Sequence, residues 1–181
     1  MRRIFLITTM VTAIALLSSS QTPTKNPAQI SSESSSSKSK GYVLQLDEGE
    51  KLADPRGGII KVSPDTGSQR LSMVVQPLPT GKRIGVHMHE RDEEVFFVHK
   101  GKGTVILHDK RTAVEEGSVV YIPPGTWHGF EANDDMQLVW LISPPHFVEL
   151  YRLFYKPGFE TTKEEEERIK RKYGYRAKAP K

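Results

Sequence analysis

The sequence predicts an all-β barrel of antiparallel strands with a short helical extension on its C-terminal side. Three observations predict it. From Tyr42 onward, short β-type runs recur at close and regular intervals. Turn residues stand between them, in "DPRGG", "SPDTGS", "PTG", "KGKG", "EEG", "PPG" and "NDD". No long segment of helical period interrupts the series, which argues against a wound α/β sheet and for a sandwich or barrel.

The chain of 181 residues opens with "MRRIFLITTMVTAIALLSSSQ", in which Arg2 and Arg3 precede 14 mostly apolar residues, 4–17, and then small polar ones. That run is shorter than the roughly 20 residues a membrane-spanning helix needs. Its layout is that of a secretory signal with cleavage after Ser20, so the expectation is a secreted or periplasmic protein without a stable membrane span. Residues 21–40, "QTPTKNPAQISSESSSSKSK", are polar and Ser-rich. They hold too little apolar surface to offset the entropy of ordering, and read as a flexible linker.

The barrel is expected over residues 41–157. Its strands are read from "YVLQL", "GIIKV", "RLSMVVQPL", "RIGVHMH", "EVFFVH", "GTVILH", "SVVYIP", "WHGFEA" and "MQLVWLIS". "HFVELYRLF", residues 146–154, has apolar residues at helical spacing and predicts one helix packed on the barrel. Residues 158–181 form a charged tail. In it Thr162 and Glu165 make a capping box, Glu precedes Lys and Arg, and Gly174 ends the helix. The pairs Glu164–Arg168, Glu166–Lys170 and Glu167–Arg171 make it a solvated helix whose charges satisfy one another.

Composition narrows the chemistry. The chain has no cysteine, which excludes disulfides, thiolate metal sites and cysteine nucleophiles. The net charge of +4 is carried by the two ends, and residues 22–160 are net −2. With no aromatic and basic surface beyond Tyr173 and Tyr175, no nucleic-acid partner is expected.

The stretch "GVHMHERDEEVFF" carries the functional signal. On a strand, residues two apart share a face at roughly 6.6 Å. His87 and His89 therefore point one way, and Val86 and Met88 the other. Two imidazoles converging from one strand are a common beginning of a metal site. A single histidine is more often structural, and His99, His108 and His146 are read so. Periodicity does not sort Phe96, Tyr121, Trp127, Phe130 and Trp140 between core and pocket.

Written out, "GKRIGVHMHERDEEVFFVHKG" and "GSVVYIPPGTWHGFEAN" closely resemble the paired signature motifs of the cupin superfamily, over residues 81–133. One position departs: Asn133 follows His128 after four residues instead of three. More loosely, "GGIIKV" and "LVWLISPP" are similar to quercetin-dioxygenase-like bacterial cupins. The resemblance implies a double-stranded β-helix, or jelly roll. It also implies four metal ligands, His87, His89, Glu94 and His128, holding one divalent Mn, Fe, Ni, Co, Zn or Cu ion. Glu93, adjacent to Glu94, faces the other way and is read as outer surface.

On this reading the protein is an exported metal-dependent oxygenase acting on a phenolic or enediol-type small molecule, with Glu94 as both ligand and proton acceptor. The alternatives are a secreted module that binds metal or a small ligand without turnover, and a cupin isomerase or decarboxylase. A polar group near the metal beyond its ligands distinguishes an enzyme from a binding module. A homodimer stays open.

Overall fold

Inward-facing apolar residues at alternate positions, Phe96 and Val98 on one strand and Leu138, Trp140 and Ile142 on another, bring two sheets together over one core. The computed structural model of the chain describes residues 40–178. The expected signal, and all of the expected linker but Lys40, lie outside the described residues. The strands are β1 (Glu50–Lys51), β2 (Ile59–Val62), β3 (Ser72–Leu78), β4 (Arg83–His89), β5 (Glu93–Lys100) and β6 (Lys102–Leu107). They continue with β7 (Lys110–Glu115), β8 (Val119–Ile122), β9 (His128–Ala132) and β10 (Met136–Ser143). Helices α1 (His146–Phe154) and α2 (Lys163–Lys172) follow, and then β11 (Tyr175–Ala177).

One sheet has six strands in the order β1-β2-β3-β10-β5-β8, and the other five in the order β11-β4-β9-β6-β7. Every pairing is antiparallel. This is the double-stranded β-helix the motifs implied. Phe96 and Phe130, one from each sheet and both buried, meet at 4.5 Å between ring centroids and tie the layers together.

Three elements differ from the sequence expectation. "YVLQL" forms no strand in this chain, and Tyr42, Val43, Leu44 and Leu46 are exposed. It is nevertheless held: the Tyr42 hydroxyl donates to Lys61 O at 2.8 Å, and the buried Lys61 ammonium donates to the carbonyls of Gln45, Leu46 and Glu48. β7, "KRTAVE", is a strand the hydrophobic pattern did not mark, because on this sheet edge only Val114 is buried. The charged tail does not remain apart from the barrel, since β11 pairs along β4 and extends the five-stranded sheet.

The outward face of the six-stranded sheet is apolar as well. Register aligns Val119, Phe97, Val139, Val75 and Ile59 in one row across five strands. A second row holds Tyr121, Val95, Leu141, Met73 and Val62. A sheet with one solvated face alternates apolar with polar; here neither row contains a polar side chain other than the tyrosine hydroxyl.

α1 spans the residues expected of it, and a buried network fixes it. Asp54 accepts hydrogen bonds from the Tyr151 hydroxyl at 2.6 Å and from Arg56 Nε at 3.0 Å and Nη2 at 2.9 Å. Gln76 joins by donating to Asp54 at 3.3 Å and accepting from Trp140 Nε1 at 3.1 Å. Burial alone would raise Asp54, but these donors outweigh it and hold the carboxyl below its ordinary range. In α2, the Glu165 amide donates to the Thr162 hydroxyl at 3.2 Å, and Lys170 pairs with Glu166 and Glu167. Among the described residues no helix is long and apolar enough to cross a membrane.

Candidate metal centre

Strand alternation carries His87 and His89 of β4 into the interior, and β9 sets His128 directly opposite His87. Glu94 enters from β5 in the facing sheet, so the cluster spans the sandwich. One candidate ligand atom from each of the four residues lies within 4.8 Å of the others. All four side chains are buried, with at most 5% exposure. The close approach of β4 and β9 requires Gly129, where a Cβ would stand 2.9 Å from Ile84 O. Beside it the register shifts between Ile84 and His87, which brings His87 level with His128.

Backbone carbonyls select the tautomers. His87 Nδ1 donates to Gly85 O at 2.8 Å and His128 Nδ1 to Thr126 O at 2.9 Å, which turns the Nε2 of each ring toward the cluster. Glu94 Oε2 lies 3.0 Å from His128 Nε2 and 3.4 Å from His89 Nε2. Burial pushes the His87 imidazole well below its ordinary value, with the neighbouring His128 and His89 adding to it, so it stays neutral. Burial also works against ionisation of Glu94, but the facing His128 and His89 nitrogens outweigh it and hold the carboxyl well below the usual range.

An ionised Glu94 with its Oε2 3.0 Å from His128 Nε2 needs one positive charge between them, a proton or a metal ion. Among the described residues, the buried side-chain polar atoms without a hydrogen-bond partner belong to His89, Glu94, His128 and adjacent Asp92, with Ser72 Oγ the one exception. Three imidazoles and one carboxylate suit a borderline divalent ion. The cluster is therefore compatible with a metal ion.

Other predicted residues fall as follows. Glu93 is exposed and accepts from the Tyr121 hydroxyl at 3.1 Å. His99, His108 and His146 are exposed and outside the cluster. Phe96, Phe130 and Trp140 are core, Tyr121 is surface, and Trp127 is half-buried beneath the Lys178 ammonium. Asn133, the position that departs from the motif, is exposed in a turn.

Two residues beside the cluster carried no signal in the motifs. Phe147 of α1 lies edge-on to His89 at 4.5 Å, and Tyr175 of β11 lies 5.2 Å from the His87 ring. The two rings stack on each other at 5.5 Å with an interplanar angle of 15°. Tyr175 is paired with His89 across the β4–β11 ladder and so shares its face. The strand that carries it is tied down by Glu90 N–H donating to Gly174 O and Arg91 Nη2 to Lys172 O, each at 2.7 Å. Burial raises the Tyr175 hydroxyl to about 12. Asp92 is buried with its pKa raised by desolvation, and its Oδ1 lies 3.5 Å from His146 Nδ1.

Fold and site together define a jelly-roll barrel with a cluster of three histidines and one glutamate inside it. The family model described as "Cupin domain" matches residues 74–144. An uncharacterised protein of Streptomyces coelicolor is 32% identical over 78 residues, covering 42% of this chain and 73% of that protein. The chain belongs to the cupin superfamily.

An uncharacterised Methanocaldococcus jannaschii protein is 30% identical over 74 residues, 40% of this chain, and the match spans 59% of that relative's length. The oxalate-binding protein of Thermotoga maritima is 28% identical over 67 residues, 36% of this chain and 55% of that protein. The solved structure of KdgF from a Halomonas species superposes with a TM-score of 0.52 at 23% identity, over 58% of this chain and 94% of that one.

Proposed function

We propose that the protein is an exported metal-dependent cupin enzyme that binds a small phenolic or enediol-type molecule at the His87, His89, Glu94 and His128 centre and oxygenates it. The observation that carries the metal is the convergence of buried, unpartnered ligand atoms from two sheets. A divalent ion bound there supplies Lewis acidity toward a deprotonated hydroxyl and, if redox-active, a path for electrons to O2.

The chain's own residues supply the rest. Glu94 Oε2, beside two imidazole nitrogens, is placed to hold the proton of a substrate hydroxyl. Phe147 and Tyr175 pack their rings against the ligating histidines and make an apolar wall suited to a flat ring. Tyr175, whose ring lies 5.2 Å from that of His87, carries a hydroxyl that burial keeps protonated, and we take it as the candidate for the polar group beyond the ligands that an enzyme needs. Among the described residues no Lys or Arg belongs to the buried polar set around the cluster, which disfavours a doubly charged substrate such as oxalate despite the oxalate-binding relative.

Oxygen uptake by metal-loaded protein, screened over catechols, flavonols and enediols, tests the reading. Metal-dependent consumption with one of these classes is expected, and it should vanish in Glu94→Gln. Tight ligand retention without uptake would instead mark a binding module. Export rests on Arg2, Arg3 and the apolar run after them; intact mass of protein recovered outside the cytoplasm should start near Gln21.

A further inference from the structure

The cluster is walled in, since its four side chains are at most 5% exposed and Phe147 and Tyr175 pack on its histidines. Tyr175 has a second neighbourhood. It also lines an open pocket of about 760 Å3, whose other aromatic walls are Phe154, Tyr155 and Phe159. Every residue lining that pocket lies between 154 and 175, after the residues 74–144 that match the family model. The pocket is therefore a construction of this chain's C-terminal extension. Among its lining residues, Tyr175 alone also packs its ring on the ligating histidines.

We infer that this pocket is the chamber that receives the substrate, an uncharged phenolic ring, and that Tyr175 is the gate between the chamber and the metal centre. The inference rests on the reading of the protein as a metal-dependent enzyme and adds where its substrate is held and which charge it carries. Size and lining support it first. A volume of about 760 Å3 is within the ~300–1,000 Å3 of small-molecule sites. Four aromatic side chains on its walls offer a flat ring the edge and face contacts it prefers.

Charge selects the ligand further. The ionic groups on the walls are Glu160, Glu166 and Lys170, two carboxylates to one ammonium. That ammonium is already held by Glu166 at 2.5 Å and Glu167 at 2.9 Å. An anionic ligand meets a negative wall with its cation committed, whereas a neutral phenol meets no such repulsion. The gate follows from position. The Tyr175 ring lies 5.2 Å from His87 and 5.8 Å from His89. Burial acts most on its hydroxyl; Lys170 and Tyr155 of the pocket act on it next, with Arg56, and then Glu94 of the cluster. Its strand β11 has three residues, stands at a sheet edge and pairs with β4 alone, so it can open without disturbing the barrel.

Calorimetric titration of the metal-free protein with 4-methylcatechol, and with its carboxylate counterpart 3,4-dihydroxybenzoate, tests the chamber. The neutral diol should bind without metal, and the carboxylate at least tenfold more weakly. Phe159→Glu should weaken the diol at least tenfold and leave metal affinity unchanged. Thr161→Trp, at an exposed position on the same wall, should do the same and keeps the test decisive if Phe159→Glu fails to fold. No binding, equal binding of the two compounds, or binding that neither variant weakens overturns the chamber. For the gate, stopped-flow absorbance of iron(III)-loaded protein follows 4-methylcatechol reaching the metal, and Tyr175→Ala should quicken it at least tenfold. An equal rate, or no absorbance change in either protein, overturns the gate. The two readings fail separately: diol binding without oxygen uptake sinks the oxygenase and leaves the chamber, and uptake that neither wall variant alters does the reverse.

Discussion

At the scale of single residues, Glu93 and Glu94 are one bond of the chain apart and face opposite ways. Glu94→Gln removes the one charge in the ligand set and should lower metal affinity about 100-fold, while Glu93→Gln should leave it unchanged. Equilibrium dialysis against a competing chelator reads both. His128→Ala should cost at least as much, beyond the 10–100-fold range seen when only an outer partner of a ligand is lost, and the barrel should remain folded. This much was legible, because a period of two fixes which face His87 and His89 share, and the motif spacing places Glu94 and His128. Phe147 and Tyr175 were not. They reach the cluster through contacts remote in sequence, and neither has a spacing relation to a histidine that a pattern could show. The nearest hint is the Tyr-x-Tyr alternation at 173–175, which fits a strand but names no partner.

At the scale of elements, β11 is the piece that completes the site. Tyr175→Ala should leave the fold intact and let a chelator strip the metal at least tenfold faster, measured by stopped flow. The raised Tyr175 value also sets an alkaline limit. Its folded pKa of about 12 lies above the unfolded value near 10, so the stability it contributes is complete below pH 10 and is lost as pH rises toward 12. Titration at 295 nm should show a late-ionising set that includes the buried Tyr151, and Tyr175→Phe should remove the step near pH 12. α1 depends on its own anchor. Asp54→Ala strands the Arg56 guanidinium and the Tyr151 hydroxyl and should cost about 3 kcal/mol in urea denaturation. Alternation found β4, β5 and β10 because each buries a run of alternate residues: His87 and His89, then Glu94, Phe96 and Val98, then Leu138, Trp140 and Ile142. It passed over β7, an edge strand with one buried residue, and over β11, whose three residues are ordered by pairing with β4. It marked "YVLQL" as a strand since alternation reports that one face wants burial, and not whether a ladder partner exists within the chain.

At the scale of the whole molecule, the cluster joins the two sheets, so metal should stabilise the entire barrel. At a free metal concentration of 100 times its Kd the gain is about 2.7 kcal/mol, or on the order of 5–10 °C in Tm for a chain of this size. Calorimetry with and without a chelator reads it. An unchanged Tm at saturating metal would mean that no ion binds the folded barrel in preference to the unfolded chain. The pairing of β11 with β4 has one more consequence, which concerns time. Glu90 and Arg176, ion-paired across that ladder, are 86 residues apart in the chain. Whether the chain emerges from a ribosome or a translocation channel, β4 comes out well before its last partner, by about 4–17 s at synthesis rates of roughly 5–20 residues per second. During that interval the strand bearing His87 and His89 has an open edge and no tyrosine across it. An ion arriving then meets a doorway; one arriving afterwards meets a wall.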